Sequence, residues 1–184
     1  MMVSDSAKKG LELLFSKAVK SHLAMQASDP IEIELIPEHK RSVPPENQLH
    51  ILTIANFFFK VLVIFHVDDA GKTSAYFSRP DSGLGFSDVF PEVCNLCCGA
   101  FNRDLGFYFP HLGMSTPYVL EHDCLDFIDL LRPAHLSQFR VQINDDITLH
   151  ATLCICAYRP LDFRVDSARL VVVPVEDTGV LELF

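Results

Sequence analysis

Apolar and polar positions along the chain follow two periods. Leu11, Leu14, Phe15, Ala18, His22 and Met25 recur at helical spacing behind the cap candidates Ser4 and Ser6, which predicts an amphipathic first helix. Between Pro30 and Pro37, Ile31–Ile36 alternates apolar and acidic residues, the period of a half-buried strand. Residues 38–47 are polar and contain two prolines, so they read as a loop. Residues 49–65 are dominated by β-branched and aromatic side chains and predict two buried strands meeting near Ala55 and Asn56. After a turn at 68–71, residues 73–77 read as a short strand and 79–85 as a loop.

A second helix is predicted over 87–104. Residues 107–112 and 117–120 read as extended, and 124–131 as a short helical stretch ended by Pro133. The clearest hairpin follows. Phe139, Val141 and Ile143 share one face, Asn144-Asp145-Asp146 turns the chain, and Ile147–Ala157 alternates again. Two further strands are predicted at 170–175 and 180–184. Hairpins with few intervening helices imply an antiparallel sheet, and two long helices must bury their stripes on it. The expectation is one α+β domain spanning residues 1–184.

The second helix carries the most informative pattern. At 100° per residue, Val89, Val93, Leu96 and Ala100 predict a core face, flanked by Phe90, Cys94, Cys98 and Phe101. Asp88, Glu92, Asn95, Gly99 and Asn102 fall within about 80° of one another on a different face. Solvated helix faces usually carry residues that cost little in a helix. Asparagine is unfavourable there, because its amide competes for backbone groups. Gly99 costs about 1 kcal/mol relative to alanine. A carboxylate, a carboxamide and a glycine in one stripe resemble a presented site. The plainer account is a capped, solvated face: Asp88 caps the helix, and Glu92 suits the positive end of its dipole.

Composition narrows the alternatives. The chain has 184 residues, with 15 Lys+Arg against 24 Asp+Glu and a net charge of −9. That balance argues against nucleic-acid binding, which needs a basic surface to displace phosphate counterions. Mean hydropathy is +0.22, so a membrane segment must be tested. Residues 49–65 fall short of the roughly 20 that a spanning helix needs, and His50, Asn56 and Lys60 interrupt them. No membrane insertion is expected. The first fifteen residues lack the order of a signal peptide, so a cytoplasmic location is expected.

Six cysteines read as buried free thiols in a reducing compartment. The alternative is a zinc site made from Cys94, Cys97, Cys154 and Cys156. Glu121-His122-Asp123-Cys124 offers four ligand types, but neighbours in sequence cannot converge on one ion, so a surface turn is expected. Nucleophile elbows, phosphate-binding loops and dinucleotide fingerprints are absent from the sequence.

Asp88-x3-Glu92-x2-Asn95, then Gly99, then Pro117 resembles the signature of the CheC/CheX/FliY phosphatases, which dephosphorylate the chemotaxis response regulator CheY. The order of elements over residues 49–157 is similar too. One signature is present and none on the first helix, as in CheX-like members. Two departures stand out: Pro91 interrupts the motif, and Pro117 comes about one residue early.

The resemblance implies a CheC/CheX-like fold and a phosphorylated CheY-like receiver domain as partner. It implies that Asn95 orients the attacking water and Glu92 pairs with the receiver's active-site lysine. Asp88 and Gly99 would support them. No cofactor of the protein's own is implied, since the receiver brings Mg²⁺. A homodimer through exposed strand edges is compatible with it. Two other readings remain open at this stage: a non-catalytic flagellar or signalling adaptor of the same fold, and a small cysteine metal protein.

Overall fold

The computed structural model describes residues 2–166, so the strands predicted at 170–175 and 180–184 lie outside the described residues. Helix α1 (Asp5–His22) starts where Ser4 Oγ accepts the Ala7 N–H at 3.1 Å. Strand β1 (Ile31–Ile36) follows, then the hairpin of β2 (Gln48–Ala55) and β3 (Phe59–Val67). A short helix α2 (Gly71–Tyr76) leads into the long α3 (Phe86–Leu105). Strands β4 (Gly113–Met114) and β5 (Tyr118–Glu121), a 3₁₀ segment (His122–Leu131), and the hairpin of β6 (His135–Ile143) and β7 (Ile147–Ala157) complete the described elements.

The strands form one sheet in the order β1-β6-β7-β3-β2-β4, with β5 also paired to β2, and every pairing is antiparallel. Alternation divides the strand residues between two faces. Phe59, Val61, Val63 and Phe65 meet Phe139, Val141, Leu149, Leu153 and the helices in the main core. Leu49, Ile51, Leu62, Ile64, Cys154 and Cys156 form a smaller cluster on the far face, under Leu125 and Ile128 of the 3₁₀ segment. Both α1 and α3 lie on the first face, with Phe15 and Phe101 in edge contact at 5.7 Å. The positive hydropathy therefore marks a central strand, β3, buried along almost its whole length. No helix among the described residues is long and apolar enough to cross a membrane.

Three local expectations are corrected. Residues 73–77 belong to helix α2 and its C-cap, not to a strand. Thr73 and Phe77 are buried while Ala75 is exposed, which is i,i+4 burial rather than alternation. Residues 107–112 form turns. The N–H groups of Tyr108 and Phe109 bond back to Leu105 O at 2.9 and 3.0 Å, so they are not available to a strand. The core face of α3 is also rotated from the expected one. Phe90, Cys94, Cys97, Cys98 and Phe101 are fully buried, whereas Leu96 is 60% exposed. The buried arc is centred on Phe90, Cys97 and Phe101, which leaves Leu96 on the outer side of the helix.

Candidate functional site

Helix α3 is fixed at both ends. Near its start, Phe90 stacks on Phe86 at 5.1 Å and meets Phe77 at 4.7 Å and His50 at 4.8 Å, both edge-on. Burial pushes the His50 pKa down to about 4, so this ring is neutral at pH 7 and packs as an aromatic. Near the helix end, Asp104 pairs with Lys17 of α1 at 3.0 Å. A helix held in this way presents its outer face rigidly.

That face is the predicted polar stripe. Asp88 sits at the third helical position, and its carboxylate accepts the Gly85 N–H at 3.0 Å. It closes the helix start from inside: the N-cap expected at Asp88 is Gly85, three residues earlier, and Gly85 has no side chain to return the bond. Pro91 lies well inside the helix, beyond the first turn. It removes the N–H that would reach Ser87 O, yet the helix continues through it.

Glu92 is exposed and Asn95 half-buried. They lie three residues apart, about 4.5 Å along the helix axis. Among the described residues neither side chain has a hydrogen-bond or ion-pair partner. Gly99, one turn beyond Asn95, faces open space: a Cβ there would meet nothing within 4 Å. Asn102 ends the stripe, with its Oδ1 buried and unpartnered. Pro117 lies half-buried between β4 and β5.

The structure thus puts Glu92, Asn95 and Gly99 on one accessible face and gives Asp88 a structural duty. Leu96 borders the same face, and its exposure adds an apolar contact that the sequence reading had assigned to the core. The signal was available, because Leu96 lies only 40° from Glu92 on the helical wheel.

The proposed zinc set does not assemble. Cys94 and Cys97 are in the core between helix and sheet, while Cys154 and Cys156 are on the far face. Ligands on opposite sides of a sheet cannot share an ion. Burial raises the thiol pKa values of Cys94, Cys97, Cys98 and Cys154, which keeps these groups protonated and inert.

With this geometry established, the fold can be compared with known proteins. The chain is similar to the chemotaxis protein CheX from Desulfovibrio desulfuricans, with a TM-score of 0.56 and 10% identity over 80% of this chain and 99% of that one. It is similar to the structure of a CheX–CheY–BeF3–Mg²⁺ complex from Borrelia burgdorferi, with a TM-score of 0.52 and 11% identity over 80% of this chain and 96% of that one. FliY from Thermotoga maritima gives a TM-score of 0.52 and 10% identity over 84% of this chain and 92% of that one. No family model and no curated protein matches the chain. The fold is that of the CheC/CheX/FliY proteins.

Proposed function

We propose that this protein hydrolyses the phosphoaspartate of a CheY-like receiver domain, using Asn95 and Glu92. One observation carries the reading. Two polar side chains stand at signature spacing on the exposed face of a rigid helix, without partners of their own, in a fold that one solved relative shows together with CheY.

Phosphoaspartate is already an activated acyl phosphate, so the demand on a phosphatase is geometric. A water must be held in line behind phosphorus. Asn95 suits that task, since its carboxamide both donates and accepts. Inserted beside the phosphoryl group, it orients the water without changing protonation state. Glu92 sets the register by pairing with the receiver's lysine. The open surface over Gly99 lets the receiver's backbone come close. Mg²⁺ bound by the receiver would offset the phosphoryl charge, so the reading asks for no metal from this chain. The net charge of −9 gives no long-range attraction toward an acidic receiver pocket, so local matching at Glu92 must supply recognition.

The test is receiver dephosphorylation with wild type and Asn95→Ala. The variant should lose about a hundredfold of the acceleration, the usual cost of misplacing a reacting group. Its fold should be unchanged, because alanine is the better helix former. An equal rate in the variant would refute the assignment. Receiver binding by the wild type with no change in phosphate lifetime would favour the adaptor reading instead.

A further inference from the structure

Beside the signature row on α3 runs a second row that the signature does not assign. Glu92, Leu96, Gly99 and Arg103 follow one another at spacings of four, three and four, which places them within about 60° of one another on the helix surface. The two rows share Glu92 and Gly99, and Leu96 is the next residue after Asn95. A partner seated on Asn95 therefore reaches the second row as well.

An exposed leucine or arginine is ordinary by itself; the position of these two is what informs. Leu96 is the one large apolar side chain of α3 that the core leaves exposed. Arg103 is the one lysine or arginine of α3, and it is exposed. The charges around it are already balanced. Asp104 pairs with Lys17 at 3.0 Å. The His22 imidazole is held below its ordinary range by burial and then by the Arg103 charge, so it is largely neutral at pH 7. Arg103 thus sets the sign of the row at its C-terminal end, and Glu92 sets the opposite sign about 16 Å away along the axis. This order also suits the helix dipole, which contributes weakly at exposed positions.

The inference rests on the receiver reading of α3 given above. One solved relative is seen with CheY, BeF3 and Mg²⁺, and Mg²⁺ in proteins is held by carboxylates. The surface that must approach Asn95 is therefore acidic, and a chain of net charge −9 repels it. A fixed cation beside the point of approach offsets that repulsion locally. Opposite charges at the two ends of the row also favour one direction of docking and oppose the reverse. We propose that Leu96 and Arg103 select the receiver: Arg103 pairs with a carboxylate on the rim of the receiver's phosphorylation pocket, and Leu96 packs on an apolar side chain beside it. They act by positioning the receiver, while Asn95 and Glu92 keep the roles assigned above.

The probe is a CheY-like receiver, activated with BeF3 and Mg²⁺ for binding and phosphorylated for kinetics, with the full chain. Arg103→Glu should weaken binding about tenfold, the loss of a surface pair plus the repulsion that replaces it. KM for dephosphorylation should rise in step, with turnover at saturation held. Arg103→Lys should keep most of the affinity, and the loss in Arg103→Glu should shrink at about 0.5 M salt. Leu96→Ser should weaken binding about fivefold, whereas Leu96→Met should not. Melting temperatures should stay near wild type throughout. Changing the receiver's rim carboxylates to lysine one at a time should yield one receiver that prefers Arg103→Glu to wild type. If Arg103→Glu and Leu96→Ser bind and turn over like wild type while Asn95→Ala is inactive, the receiver reading stands and this proposal falls. It also falls if affinity drops only in step with melting temperature, or if no charge-reversed receiver changes its preference. A wild type that neither binds the receiver nor shortens its phosphate lifetime overturns both readings.

Discussion

Helices α1 and α3 lie side by side on one face of the sheet and share a core, yet they use their polar side chains in opposite ways. On α1 several polar groups are engaged within the molecule, although Lys9 and Lys20 have no partner among the described residues. Lys8 pairs with Asp5, Lys17 with Asp104, and Glu12 reaches β6, where Ser137 Oγ donates to its Oε1 at 2.7 Å and His135 Nε2 lies 3.2 Å away. On α3 only Asp88, at the helix start, and Asp104, on the buried side, are engaged in this way. Glu92 and Asn95 have no partner among the described residues. The difference lies at the carboxylates: Glu12 is tied down inside the molecule, whereas Glu92 stands at the surface and is free to meet a partner.

The comparison breaks most directly at the two glutamates. Burial opposes the charge of Glu12, but the bonds from His135 and Ser137 outweigh it and hold the carboxyl below its ordinary range. Glu12→Ala should therefore cost about 1–3 kcal/mol of stability, by stranding both partners. Chemical denaturation measures that loss, and receiver dephosphorylation well below the melting point should not change.

Glu92→Gln should do the reverse. Stability should move by less than about 0.5 kcal/mol, as for an exposed side chain without contacts. Receiver affinity should fall about tenfold, the worth of one charged contact. A Glu92 variant that melts early with normal affinity would erase the distinction between the helices.

The same contrast explains what could be read from the chain. The first helix, β1 and the β6–β7 hairpin were legible because each carries a regular alternation of apolar and polar residues, and a single period describes it. The stripe on α3 was legible for the same reason, as residues 88, 92, 95 and 99 share a face whatever the helix packs against. Residues 73–77 misled, because Thr73 and Phe77 fit a helical turn as well as a strand, and only the surroundings decide. Leu96 misled because hydrophobicity ranks leucine above cysteine for the core, whereas Phe90 and Phe101 fix the buried side and take the cysteines between them inward. The two cysteine pairs fail as a zinc site because which face of the sheet a residue occupies is a tertiary fact.

The smallest expected effect is the most discriminating, and it turns on two glycines. Gly10 of α1 is used internally: a Cβ there would lie 3.0 Å from the Phe163 ring and 3.1 Å from Val165. Gly99 of α3 touches nothing. Alanine in a helix interior is favoured over glycine by about 1 kcal/mol. Gly99→Ala should realise most of that gain as a higher melting temperature, whereas Gly10→Ala should not, because crowding against Phe163 and Val165 offsets it. If Gly99 is retained for a receiver's close approach, the stabilised variant should also bind the receiver severalfold more weakly. Gly10→Ala should leave binding alone. A Gly99→Ala protein that is more stable and equally active would mean that the stripe tolerates bulk. The receiver would then dock nearer Glu92 and Leu96, toward the N-terminal half of the helix.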